Sequence, residues 1–220
     1  MYSKFIAYNI TPWFAWSKGA FDYREIRNRD VKMINRYLRK EDPRYYHYRF
    51  DEAMEKAILP ANKKSGAANS IILMFKKHGE FSRYKESIEF EKFIGFGDLM
   101  PASNDEYIMI ACRFIREQYS KMGYGTALGA LLIEKCIKDM PHIFGCCFQV
   151  HERNVASHNS HRKLMKIYRC LVSGPHEILD SKTGRTWRMF NYIYMTGMNK
   201  TLDISKIQPP KPLEDKCWCI

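Results

Sequence analysis

Two periods run through this chain, and where one gives way to the other marks its elements. Tyr2–Ile10 alternates loosely, as a strand does, and Thr11-Pro12 ends it. Trp13, Phe14 and Trp16 follow in a segment that fits neither period. From Asp22 to Lys40 the apolar residues Ile26, Val31, Ile34 and Leu38 are separated by charges, which predicts an amphipathic helix stopped by Asp42-Pro43. Phe50–Leu59 predicts a second helix, with Asp51 and Glu52 near its start and Pro60 after its end. Asn62-Lys63-Lys64-Ser65-Gly66 then reads as a loop.

Beyond it the period shortens to two. Ser70–Lys76 predicts a strand turned by His78-Gly79, and Ser87–Leu99 a longer one, bent at Gly95 and Gly97. A turn at Pro101–Asp105 leads into a strand at Tyr107–Ile115, and the three form an antiparallel meander. Gly123-Tyr124-Gly125-Thr126 opens a helix to Lys138 whose apolar face holds Leu128, Leu131, Leu132 and Cys136, with Ile133 and Ile137 beside it. Ile143–Val150 is almost wholly apolar, as a central strand covered on both faces would be. Ala156–Arg169 predicts another helix. Glu177–Leu179 and Thr186–Thr196 flank the hairpin loop Asp180–Arg185. Gln208-Pro209-Pro210-Lys211-Pro212 is extended. The order implies an α/β (α+β) fold: a mixed, mostly antiparallel sheet of about seven strands flanked by about four helices, with one parallel crossover near its middle. No internal repeat or linker divides it. We therefore expect one domain over residues 1–220, comprising an N-terminal strand and helices at 1–69, a core at 70–196 and a tail at 197–220.

Composition narrows the class. Of 220 residues 45% are apolar and 27% charged, enough for a core without a metal or disulfide staple. No stretch approaches the length of a membrane span, and Met1-Tyr2-Ser3-Lys4 opens no signal peptide, so no membrane partner is expected. The seven cysteines, Cys112, Cys136, Cys146, Cys147, Cys170, Cys217 and Cys219, form no C-x-x-C pair. They read as reduced thiols of a cytoplasmic protein, with no metal site. A site built from His151, His158 and His161 is the one metal arrangement the spacing leaves open. Lys and Arg number 36 against 24 Asp and Glu, a net charge of +12, which favours an anionic partner: nucleic acid, anionic lipid or a phosphate-rich cofactor.

The chemistry concentrates where the third meander strand ends. In Phe114-Ile115-Arg116-Glu117-Gln118-Tyr119-Ser120-Lys121-Met122-Gly123-Tyr124-Gly125-Thr126 a strand gives way to a loop with two glycines and then to a helix. Glycine lets backbone N–H groups approach an anion, and a helix N-terminus adds unpaired donors and a positive dipole end. The loop lacks the Lys-Ser/Thr pair of an NTP-binding loop.

This arrangement resembles the GNAT superfamily of acyl-CoA-dependent N-acyltransferases, whose loop reads Gln/Arg-x-x-Gly-x-Gly/Ala; here Ser120 stands at the first position and Gly123 and Gly125 at the glycines. The family's second motif, Asn-x-x-Ala/Ser-x-x-x-Tyr-x-Lys, is matched by Asn154, Ser157 and Lys163, with His161 in place of Tyr. The resemblance covers about residues 70–196. It implies acetyl-CoA as co-substrate, held by Phe114, Ile115, Ser120, Lys121, Met122, Gly123, Tyr124, Gly125, Thr126, Asn154 and Ser157. It also implies direct acyl transfer to an amine, with His161 as general acid for the departing thiolate and Tyr168 in reserve. An imidazolium can donate a proton near neutral pH. The strand position at which some members carry a Glu base holds Met109; Glu106, at the strand's start, is the remaining candidate.

The acceptor is not written in these motifs. Asn154–Arg169 holds Arg162, Lys163, Lys166 and Arg169 and no acid, and Tyr45-Tyr46-His47-Tyr48-Arg49-Phe50 interleaves aromatic with basic residues. An N-acetyltransferase acting on an amine is the primary expectation. A GNAT-like enzyme acting on nucleic acid (tRNA or a DNA base) and a non-catalytic binding module are the alternatives.

Overall fold

Strand β1, Phe21–Glu25, overlaps the start of the segment whose spacing predicted a helix from Asp22. The computed structural model describes residues 21–26, 30, 70–76, 93–102, 105–179 and 184–196. β1 pairs antiparallel with β2, Ser70–Lys76, from Phe21 opposite Lys76 to Glu25 opposite Ile72, and the Ile26 N–H donates to Ile71 O at 2.9 Å. Asp30 is helical. The local period was overridden by pairing: Phe21 is buried, and Arg24 turns inward to a buried ion pair with Asp30 at 2.6 Å. The expected strand Tyr2–Ile10, the helix Phe50–Leu59 and the tail lie outside the described residues.

The remaining elements follow the expected order. β3 is Phe93–Ala102 and β4 is Asp105–Ile115. Within the turn expected at Pro101–Asp105, Pro101 and Ala102 still pair with β4 across a bulge, Ala102 opposite Asp105. A 3₁₀ turn, Glu117–Tyr119, leads to helix α1, Tyr124–Asp139. β5 is Gly145–His151 and helix α2 is Val155–Leu164. β6 spans Cys170–Leu179, far longer than the expected Glu177–Leu179. Its alternation is broken between Ser173 and His176, where Gly174 takes φ 117° and precedes a cis proline, so the sequence there reads as loop. β7, Thr186–Met195, completes one seven-stranded sheet in the order β1-β2-β3-β4-β5-β7-β6. Besides the helical Asp30, the α-helices with described bounds are α1 and α2.

Every neighbouring pair is antiparallel except β4 and β5. A parallel pair needs a crossover, and α1 supplies it. α1 and α2 pack on one face of the sheet, over Ile72, Met74, Ile94, Leu99, Met109, Ala111, Phe148 and Tyr194. The buried surface of α1 is wider than the predicted stripe: Leu128, Leu131, Leu132, Cys136, Ala127, Ala130 and Ile133 are all fully enclosed, and Ile137 is exposed. Each such large apolar side chain contributes roughly 1.5–3 kcal/mol by burial. Lys135 ties the helix to β1, donating to Glu25 at 2.6 Å and to Asp139 at 2.8 Å. The opposite face is also buried, through Leu73, Phe96, Ile108, Ile110, Phe114 and Cys147.

Candidate functional site

The parallel pair is short. β4 and β5 are in register only at Ile108 with Gly145, Met109 with Cys146 and Ile110 with Cys147. Beyond that point β4 continues beside β3 to Ile115, and β5 continues beside β7 to His151. The strands therefore splay, and the edges of Ala111–Ile115 and Phe148–His151 that would face each other carry no shared ladder. Phe114 turns its side chain to the face away from the helices, against Phe96 at 5.4 Å between ring centroids, while Ile115 packs towards α1. Both expected strand-end residues thus border the open gap.

The loop after β4 carries the chain from this gap to the start of α1. Arg116 anchors it: its N–H donates to Ile94 O at 2.9 Å and its Nη1 to Phe93 O at 3.1 Å. Tyr119 and Tyr124 are buried edge to face at 6.0 Å, and Tyr124 also meets Phe21 at 6.2 Å. Between them Ser120 and Lys121 are exposed and Met122 is half-buried. Lys121 and Gly123 have φ of 59° and 84°. The left-handed conformation costs a residue with a side chain, so at Gly123 glycine is the natural choice. Thr126 and Ala127 N–H both donate to Gly123 O, and no acceptor among the described residues takes the N–H of Gly123, Tyr124 or Gly125. The result is a set of donors, unpaired among the described residues, at the positive end of a helix. A Cβ on Gly125 would meet only Ile115 Cγ1, at 3.7 Å, so space remains above it.

α2 begins on the other side of the gap. Asn154 is its N-cap: Oδ1 accepts the Ser157 N–H at 3.0 Å. His161 is completely buried, stacked on the Tyr192 ring at 4.3 Å and set edge-on to Phe148. Its Nε2 lies 2.8 Å from Arg113 Nη2 and its Nδ1 2.8 Å from the Tyr194 hydroxyl. Arginine only donates, so Nε2 accepts, and the imidazole is the neutral tautomer with its proton on Nδ1. Burial, the Arg113 charge and His158 all hold its pKa well below the usual histidine value.

Arg113 is the residue that sequence reasoning passed over. From β4 it crosses to the helices: Nη1 donates to Gly125 O at 2.8 Å and to Ser160 Oγ at 2.9 Å, and Nη2 to Ser157 Oγ at 3.2 Å and to His161. Its guanidinium lies 4.9 Å above the Phe148 ring. Gly129, in the middle of α1, makes room for it, since a Cβ there would sit 2.5 Å from Arg113 Nη1. Two signals were available: a lone charge inside an apolar strand, and a glycine inside a helix with no turn to make.

No family model matches the sequence, and no curated protein matches it by sequence. Solved structures do. Arabidopsis thaliana NAA60, solved with acetyl-CoA, superposes with a TM-score of 0.54 at 14% identity, over 80% of this chain and 98% of that one. The fold is that of the GNAT N-acyltransferases. A spermidine N-acetyltransferase from Vibrio cholerae, solved with CoA and spermine, gives 0.54 at 10% identity over 80% and 95% of the two chains. A putative acetyltransferase from Acinetobacter baylyi gives 0.51 at 17%, over 81% and 92%.

Within this GNAT fold the other expected site residues scatter. Tyr168 lies past the end of α2, and its hydroxyl donates to Glu134 Oε1 at 2.9 Å. Glu134 is about 14 Å along α1 from Gly125. Glu106 is the second residue of β4, about 13 Å of strand before Ile110. His158 is tied to Tyr192 Oη at 2.7 Å and to His151 O at 3.1 Å. No group of three or more His, Cys, Asp or Glu side chains among the described residues is placed to hold a metal ion. No helix among them is long and apolar enough to cross a membrane.

Proposed function

We propose that this protein is an acyl-CoA-dependent N-acyltransferase that uses acetyl-CoA and transfers the acyl group directly to an amine. The observation that carries the reading is the junction of two open features: the splayed gap between β4 and β5, and the unpaired N–H groups of Gly123–Gly125 beside its mouth. A long amide-bearing arm ending in phosphates matches both. Its phosphates would take the α1 N-terminus, with Ser120, Lys121, Met122, Tyr124 and Thr126 shaping that loop and the Lys121 ammonium exposed beside it. Its amides would replace the missing strand along Phe114 and Ile115, with Asn154 and Ser157 across the gap. Acetyl-CoA and CoA are the molecules in the similar NAA60 and Vibrio structures, which supports an acyl-CoA as the donor.

Bound acetyl-CoA supplies an activated acyl group as a thioester. The chain's own part is to hold that group against the amine and exclude water. The free thiols of Cys112, Cys136, Cys146, Cys147 and Cys170 fit a cytoplasmic location. Cys146 and Cys147 are fully enclosed, and burial pushes their thiols up, which disfavours the thiolate form.

Calorimetric titration with acetyl-CoA tests the reading. Saturable binding is expected, and Gly125→Glu is expected to abolish it, because the new side chain has room to fold but places a carboxylate on the donors. Absence of binding by the folded wild type would leave a non-catalytic module. A second reading, in which the acceptor amine is carried by nucleic acid, is favoured by Arg162, Lys163, Lys166 and Arg169, all exposed along and after α2.

A further inference from the structure

We propose that Asn191, together with Gln149, is the contact that selects the acceptor, and that the acceptor is an amine carrying a neutral amide group close to its nitrogen. The proposal rests on the acyltransferase reading and deepens it. On the sheet face away from the helices, the residues change character where the gap opens. The last register of the β4–β5 ladder joins Ile110 to Cys147. The row that runs through it on that face is apolar: Met100, Ile110, Cys147, Ile193 and Leu171. Side chains return to one face at every second residue. The next row is therefore Asp98 and Cys112 on the β4 side, and Gln149, Asn191 and Ser173 on the β5 side. Polarity thus begins in the first row beyond the ladder, where the strands part.

Asn191 is 3% exposed, and its Oδ1 is buried with no hydrogen-bond partner among the described residues. Gln149 stands directly opposite it, at the edge of the gap, half-buried and with no side-chain hydrogen bond among the described residues. Ser173 is engaged by His176 Nε2 at 3.1 Å. A buried carbonyl without a donor costs stability, and an N–H from a ligand would offset that cost. Opposite residues of an antiparallel pair lie close enough to act on one group. Two such carboxamides complement an amide: Asn191 Oδ1 accepts its N–H, and Gln149 Nε2 donates to its C=O. A second ammonium would call for a carboxylate instead, and none of the residues that β5, β6 and β7 turn to this face is acidic. Asp98 belongs to the other side of the gap, behind Cys112.

The path of approach agrees. On the helix face Arg113 crosses from β4 over the Phe148 ring of β5, and Ser157 and Ser160 of α2 accept from it, so that side is occupied by the protein itself. An acceptor coming to a thioester in the gap from the far face passes the row of Gln149 and Asn191.

The test compares two small amines of equal length, glycinamide and ethylenediamine, with acetyl-CoA as donor, following the coenzyme A thiol released. The quantity read is the ratio of their kcat/KM values, glycinamide over ethylenediamine, because intrinsic amine reactivity cancels when one protein is compared with another. Asn191→Leu is expected to lower this ratio by about tenfold or more, through KM for glycinamide, since a site built to bond a substrate N–H loses that discrimination with the bond. Its acetyl-CoA affinity in calorimetry should be unchanged. Its urea midpoint should equal or exceed that of the wild type, because an unpaired buried carbonyl is removed; an asparagine kept for structure would lower it. Asn191→Asp should move the ratio towards the diamine, whose second ammonium a carboxylate suits. A lower urea midpoint or a failure to fold in Asn191→Leu, a ratio unchanged in either variant, or no acetylation of glycinamide by wild type that binds acetyl-CoA overturns the proposal and leaves the acyltransferase reading intact. No acetyl-CoA binding overturns both.

Discussion

Arg113 and His161 meet at 2.8 Å, the charge on the arginine and the imidazole neutral. The ring is enclosed by Tyr192, Tyr194 and Phe148, and the charge sits on the arginine. The histidine is therefore neutral when folded, which fixes the sign of a pH effect. The unfolded chain binds a proton near the ordinary value of 6.5, and the folded chain only well below it. Between those two values the unfolded state holds more protons, so stability is complete above about pH 6.5 and is lost as the pH falls. The slope from this one group is about 1.4 kcal/mol per pH unit. Urea unfolding of wild type and His161→Gln at pH 7 and pH 5 checks this; equal pH dependence in the two proteins would contradict it.

At the scale of the element, α2 depends on its first turn. Asn154 caps it, no acid lies in that turn to favour the dipole, and the helix is only Val155–Leu164 long. Asn154→Ala is expected to lose about 1 kcal/mol of stability, and Asn154→Asp to keep it, in chemical denaturation. Because Asn154 and Ser157 belong to the proposed acetyl-CoA site, the alanine variant should also weaken acetyl-CoA binding. The same scale shows what the sequence could reveal. β4, α1 and β5 were legible because each carries an unbroken period between glycines or prolines. β1 was not, because Ile26, Val31, Ile34 and Leu38 gave a helical spacing while the pairing of Phe21–Glu25 with β2 decided the backbone. The glycine loop was found from its spacing and Asn154 from its resemblance to a family motif, since each is local; that Asn154 caps α2 came only from the structure. The Arg113 cluster was not, because it draws together β4, α1, α2 and β5, residues joined only by the fold.

Across the whole molecule the net charge of +12 is unevenly spread. Between Asn154 and Arg169 there is no acid, and Arg162, Lys163, Lys166 and Arg169 are exposed. A single-stranded oligonucleotide should bind with an affinity that falls linearly on a log–log plot against salt. Reversing Arg162, Lys163 and Lys166 to Glu should flatten that slope by about 2, at roughly 0.7 per phosphate contact. An unchanged slope would confine these residues to keeping the protein in solution.

The brief β4–β5 ladder has a mechanical meaning as well. It joins a four-stranded half, β1-β2-β3-β4, to a three-stranded half, β5-β7-β6, by three registers, while every other seam in the sheet is longer. The sheet is thus a book with a short spine. A wedge entering at the open edge of the pages works with the full length of both covers as its lever, so a molecule seated there acts on the tilt of one half against the other.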